Sequence, residues 1–402
     1  MKWARFGRRK ELTAGVFLLA MTFSNVVSSG KLVSFLRSGY QDFTIFYAAA
    51  RMVRNGQSSV LYDLSAQYQA QREFAPNVPI RRAALPYNHP PFEALLFLPF
   101  TFLPYVPAYL LWALLNGMML AAALALLRRQ FGEIRNLPLA FLILAATGFL
   151  PAASAVIQGQ DSILLLFLFV VALAALEKGN DPAAGAALAA GLFKFHLVLP
   201  LVFLLAVRRW RLLLGFAPIT ALLGAVSLAM VGWHGAVSYV QLLLRLEETG
   251  AGGAIVGADM PNLRGIISSL TGVRGGPFLL ALAIACSAAV LLIALWRMGP
   301  MRDSVRFAFV LATVTTILVS YHTLTYDLSL LLPSALLLFA AAGPESSRPS
   351  QADTILLVLL YLAPLFEPFW PRVNQFCWPV VVLTWLFWKL DRDRSPESVP
   401  AS

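Results

Sequence analysis

The feature that most constrains this chain is its succession of long apolar stretches punctuated by short basic clusters. Stretches at 11–29, 106–127, 137–156, 161–177, 211–231, 277–297, 305–320, 325–342, 353–366 and 376–390 approach the roughly 20 residues an α-helix needs to cross a bilayer. Runs of this kind cannot all be hidden in one water-soluble core. Charged residues make up 13% of the 402, about half the ~25% of an ordinary soluble domain. The chain therefore reads as an all-α polytopic membrane protein, a single membrane domain over 1–402. The net charge of +11 does not indicate nucleic acid. Its basic residues sit in loops, at Arg128, Arg129 and Arg135; at Lys178; at Arg208, Arg209 and Arg211; at Arg297, Arg302 and Arg306; at Arg348; and at Lys389, Arg392 and Arg394. That distribution marks the cytoplasmic side. Cys286 and Cys377 are too far apart for a ligand pair, so neither a disulfide framework nor a zinc site is expected.

Two segments decide the topology. Lys2, Arg5, Arg8, Arg9 and Lys10 precede 11–29, and Val27-Ser28-Ser29-Gly30 closes it, a pattern shared with signal peptides. The membrane character of the rest favours an uncleaved first span. The stretch 183–207, interrupted by Lys194, Phe195 and His196, is ambiguous. A single crossing puts Arg208-Arg209-Trp210-Arg211 on the wrong side. A turn-back of two short helices, 183–194 and 196–207, returns that cluster to the basic face and leaves Lys194 and His196 near the outward tip. The result is a bundle of about 10–12 membrane segments, with both termini and the tail 391–402 cytoplasmic.

Two outward loops follow. In 30–91, Asp42 precedes Phe43, Phe46, Tyr47, Ala50 and Val53 at helical spacing, with Arg51 and Arg54 off that stripe and Gly56 as a stop. This predicts a helix lying along the membrane surface. Another short helix is expected after Asp63, and Pro86-Tyr87-Asn88-His89-Pro90-Pro91 is forced extended by its prolines. Pro99 and Pro104 make 92–105 a re-entrant element rather than a span. The second loop, 232–276, is glycine-rich and leads to Asn262-Leu263-Arg264.

This threading gathers Asp42, His89, Gln160, Asp161, Lys194, His196, Asn262, Arg264, His322 and Asp327 on the outward side, away from the basic loops, and His234 lies on that side too. Ionisable residues at a membrane boundary are costly unless paired or functional. Each also has a plainer reading. Asp42, Asp63, Gln160 and Asp161 stand where helix caps belong. Lys194 can snorkel to the interface, His89 can finish a proline turn, Arg264 can anchor to lipid headgroups, and His322 can pair with Asp327. No P-loop, GxGxxG, G-x-S-x-G or HExxH motif is present. An outward site has no nucleotide supply, so a lipid-borne substrate fits better. Cations such as Lys194 and Arg264 suit a phosphate, and a carboxylate such as Asp42 suits proton removal from an attacking hydroxyl.

The runs Gly39-Tyr40-Gln41-Asp42-Phe43 through Tyr47, Leu61-Tyr62-Asp63, Tyr87-Asn88-His89-Pro90-Pro91, Gln158-Gly159-Gln160-Asp161, and Gly185 through Lys194 followed by Arg208-Arg209-Trp210-Arg211 resemble glycosyltransferase family 87. The resemblance spans about 38–335. It implies a GT-C-like fold and transfer of a sugar, mannose by default, from a polyprenyl-phosphate donor to a lipid or glycan acceptor at the outer face of the cytoplasmic membrane. It makes Asp42 the catalytic base. It also places Lys194 near the donor phosphate and matches His322 after a span; with His196, Arg264, His89, Gln160 and Asp161 from the outward cluster, these are the residues expected to hold donor phosphate and substrate. It departs at His196, where the family is expected to carry proline after the lysine, and matches Asn262-Leu263-Arg264 only loosely. The leaving phosphate already carries its charge, so neither a metal nor another cofactor is expected. The competing readings are a lipid or solute transporter without covalent chemistry and a non-catalytic assembly subunit.

Overall fold

The computed structural model describes residues 2–36, 39, 41–74, 85–249, 257, 260–272, 276–298, 305–341 and 358–362. They form α1 (Lys2–Leu36), α2 (Phe43–Arg54), α3 (Leu64–Arg72), α4 (Glu93–Phe97), α5 (Tyr105–Gln130), α6 (Gly132–Arg135), α7 (Leu139–Thr147), α8 (Leu150–Gln158), α9 (Ser162–Glu177), α10 (Asp181–Ala190), α11 (Phe195–Ala206), α12 (Leu212–Thr249), α13 (Leu263–Thr271), α14 (Pro277–Met298), α15 (Val305–Val319) and α16 (Leu331–Ala341), with 3₁₀ turns between some of them. No strand occurs among the described residues. The spans expected at 353–366 and 376–390 lie outside the described residues apart from 358–362, as does the tail.

Four helices are long and apolar enough to cross a membrane alone: Thr13–Gly30 within α1, α5, most of α12, and α14. Their apolar side chains stand outward, as at Phe23, Leu114, Leu228 and Leu292, which is the surface a lipid-facing helix presents. Two more candidate spans are broken pairs, α7 with α8 and α10 with α11. Helices α9, α15 and α16 are shorter and largely enclosed by neighbours, so a shorter apolar run suffices for them.

The turn-back at 183–207 is seen in the contacts. The Arg209 guanidinium reaches the Asp181 carboxylate at 3.1 Å and the Leu176 carbonyl at 2.9 Å. The chain thus leaves at the start of α10, turns at Lys194 and returns to where it left. At the same end, Arg306 pairs with Glu133 and Glu177 at 2.9 and 3.4 Å. Among the described residues, the loops that carry Arg135, Lys178, Arg209 and Arg306 therefore share one end of the bundle. Asp161 opens α9 and Ser320 follows α15 at the other end.

Two apolar cores result. The larger joins α8 to α11 with α15 and α16. The smaller is built by α2, α3, α4, the first half of α5 and the far half of α12. Met119 and Leu164 touch both. Several expectations for the outward loops change here. Helix α2 does not leave one face free as a helix lying on a surface would: nine of its twelve residues are buried, because α3, α4 and the 3₁₀ turn Leu98–Phe102 pack over it. Helix α1 continues past the expected end at residue 29. The loop expected from residue 232 opens with a break in α12 at Gly232, where φ is +67° and ψ 179°, and a second helical stretch follows to Thr249.

Candidate active site

The end of the bundle away from the basic loops holds a cavity of about 140 Å³ at the seam of the two cores. Asp42, His89, Gln160, Lys194, His196 and His322 line it, with Asn88, Tyr321, Tyr326 and Asp327. Six of the eight predicted site residues thus reach one cavity.

Asp42 precedes α2 but makes no side-chain cap bond. Its Oδ2 instead accepts a hydrogen bond from Gln160 Nε2 at 2.7 Å. Asp63, by contrast, caps α3 by accepting from the Ala66 N–H at 2.8 Å. The two aspartates have the same helix-start signature in sequence, and only Asp42 has its carboxylate in the cavity.

The loop bearing Gln160 and Asp161 is held from α5. Tyr109 Oη donates to the Ile157 carbonyl at 2.6 Å, Trp112 Nε1 to Gly159 at 2.9 Å, and Asn116 Nδ2 to Gln160 at 3.1 Å. These donors recur at spacings of three and four, one face of a helix. Gly159 closes α8 with φ +65°, and a Cβ there would lie 2.7 Å from Phe43 Cβ. Only glycine brings this loop against α2 without strain.

Lys194 is buried at the α10–α11 turn. Its ammonium donates to Asp327 Oδ1 at 2.6 Å and Ser162 Oγ at 2.8 Å, and pairs with Asp161 Oδ1 at 3.0 Å. Ser162 donates to Asp327 Oδ1 at 2.9 Å, and the Leu324 N–H to Asp327 Oδ2 at 3.0 Å. The Tyr326 ring centroid is 4.8 Å from Nζ, close enough for a cation–π contact. Three readings are settled by these contacts. Lys194 does not snorkel, Asp161 makes no side-chain cap bond, and Asp327 pairs with Lys194 rather than with its chain neighbour His322.

His89 is placed by α3 and the extended run before it. Gln67 Oε1 accepts from the Tyr87 N–H at 2.8 Å, and Gln71 exchanges hydrogen bonds with the Leu85 backbone. Tyr62 donates to the His89 carbonyl at 2.8 Å. Nδ1 lies 2.9 Å from Glu93 Oε2, with the Glu93 side chain fully buried. Burial pushes the His89 imidazolium down to about 4, against the opposing pull of Asp161, so the ring is neutral at pH 7. His196 Nδ1 shares a hydrogen bond with Ser320 Oγ at 2.8 Å, and its ring meets that of His322 edge-on at 5.8 Å. Burial also lowers His322, to about 4, with Asp327 opposing.

Asp161 stands one layer behind the cavity, against Lys194. Arg264 does not line the cavity either. It is 2% exposed and donates to the Tyr321 carbonyl at 3.2 Å, so it is not a headgroup anchor. Asn262 caps α13 through the Gly265 N–H and donates to the Ser320 carbonyl at 2.8 Å. His234 is exposed on α12 and takes no part. Glu93, Ser162, Tyr321 and Tyr326 were not singled out in the sequence. Glu93 alone offered a signal, its position four residues after His89 across two prolines.

The sequence model of glycosyltransferase family 87 matches residues 87–320, more than half of the chain. No curated protein and no solved structure matches it.

Proposed function

The chain belongs to glycosyltransferase family 87 and is a membrane glycosyltransferase, and from that premise we propose that Asp42 is the general base of an inverting transfer from a polyprenyl-phosphate sugar. The observation carrying this is the Asp42 carboxylate itself. It borders the cavity, is released from helix capping and is oriented by the Gln160 amide. The acceptor hydroxyl gives its proton to Asp42 while its oxygen bonds to the anomeric carbon. The bond from that carbon to the phosphate oxygen breaks, and the polyprenyl phosphate departs with the electron pair. Attack opposite the leaving group inverts the centre.

The remaining residues divide by position. His196 and His322 line the cavity and, as neutral rings, can donate N–H bonds to the leaving phosphate. Lys194, bound to Asp327, Ser162 and Asp161, acts as a fixed charge in the wall. Arg264 acts through the Tyr321 backbone it holds. Mannose is the default sugar, the acceptor a lipid or polysaccharide, and the site faces the exterior of the cytoplasmic membrane with the basic loops inside. The test is to incubate purified protein with a panel of polyprenyl-phosphate sugars. Transfer or donor hydrolysis with one of them is the expected result. Movement of intact substrate across vesicles with no covalent product would establish a transporter instead.

A further inference from the structure

Behind His89 lies a group of polar atoms that the glycosyl-transfer chemistry leaves unexplained. His89 Nδ1, both oxygens of Glu93 and Asp161 Oδ2 are buried with no well-formed hydrogen bond. Ligand atoms from the three side chains lie within 4.8 Å of one another. Nδ1 is 2.9 Å from Glu93 Oε2 and 3.9 Å from Asp161 Oδ2. The Tyr87 hydroxyl beside Glu93 donates to the Pro90 carbonyl at 3.0 Å. Asp161 is split between two neighbours: Oδ1 pairs with Lys194, and Oδ2 is turned to His89. The imidazole also hydrogen-bonds the backbone of Phe193, the kind of outer support that orients a ligating histidine.

Charge points the same way. Glu93, Asp161 and Asp327 are three buried carboxylates in one contact network, and Lys194 is the single ammonium among them. An interior compensates such an excess of negative charge, either by a proton shared between Glu93 and Asp161 or by a bound cation. We propose that His89, Glu93 and Asp161 bind a divalent metal cation. One imidazole and two carboxylates suit an ion of the Mn²⁺ or Zn²⁺ class. The family resemblance gave no reason to expect a metal, and the proposal stands on these three side chains alone. A cation here also neutralises the wall behind the cavity, so that an anionic donor can approach. That consequence rests on the glycosyl-transfer reading, whereas the binding does not, and either can fail without the other.

The full-length protein in detergent, stripped with chelator and dialysed, is titrated with Mn²⁺ while free Mn²⁺ is followed by electron paramagnetic resonance. The expected result is stoichiometric binding by the wild type and by His234→Gln, weakened at least tenfold in both Glu93→Gln and Asp161→Asn. Mn²⁺ should raise the melting temperature of the wild type but not of Glu93→Gln, whose near-identical shape preserves packing. If the wild type binds no more Mn²⁺ than Glu93→Gln does, the site is overturned and the two carboxylates hold a shared proton instead. Undiminished binding in both variants overturns it equally.

Discussion

Lys194 shows how much one side chain can hold together here. Its ammonium is the common partner of Asp161 and Asp327, both buried, and removing it leaves two carboxylates without their cation. Breaking such a pair costs about 3–5 kcal/mol. Lys194→Met should therefore melt well below wild type, and adding Asp327→Asn should recover part of the loss; a single variant as stable as wild type would contradict the pairing. His322 carries a different signature. Burial holds its folded-state value at about 4, below the ~6.5 of an unfolded histidine. Between those values the unfolded chain binds more protons, so this contribution to stability is complete above ~6.5 and is lost as pH falls towards 4. Asp327 opposes the shift, and Lys194, His89 and Arg264 reinforce it. Thermal melts at pH 7.5 and 4.5 should show His322→Gln losing less on acidification than wild type. Equal losses would place the ring in water.

Among the helices, the turn-back depends on how closely α10 approaches α12. A Cβ at Gly185 would lie 1.9 Å from the Leu212 carbonyl oxygen, and one at Gly215 would lie 1.8 Å from that of Pro182. The two glycines let backbone meet backbone, as small residues do in membrane helix pairs. Gly185→Ala must separate the helices, at a cost of about 1–3 kcal/mol, and should lower the melting temperature. Gly224→Ala, with open space around its Cβ, should leave it unchanged or slightly raised. This break was legible in the sequence because charge parity demanded it. The cover over α2 was not. A stripe at helical spacing reports one apolar face, and Thr44, Ala48 and Ala49 do not announce that α3 and α4 will bury the opposite one. The chain likewise resumes a helix after the break at Gly232, and Val231 and Leu242 pack in the smaller core on either side of that break.

At the level of the whole molecule, the sequence distinguished the two ends of the bundle, since charge placement relative to apolar runs is a property of sequence order. It also named seven of the sixteen residues that line the cavity, including every aspartate, histidine and lysine among them. It could not supply partners. Chain proximity makes His322 an available partner for Asp327, whereas the fold brings Lys194 from more than a hundred positions away. Glu93 went unremarked because its significance depends on Asp161, which only packing of the two cores brings beside it. What the seam between those cores provides is a small cavity bordered by the Asp42 carboxylate, which Gln160 orients, and the central claim is that this carboxylate takes the proton of the acceptor. The most direct measurement compares Asp42→Asn with wild type for sugar transfer from the polyprenyl-phosphate donor, with thermal melts of both. Asp42 caps no helix with its side chain, so the variant should fold with nearly unchanged stability and lose transfer by roughly 10²–10⁴-fold. A folded Asp42→Asn protein that transfers sugar at the wild-type rate would contradict the account.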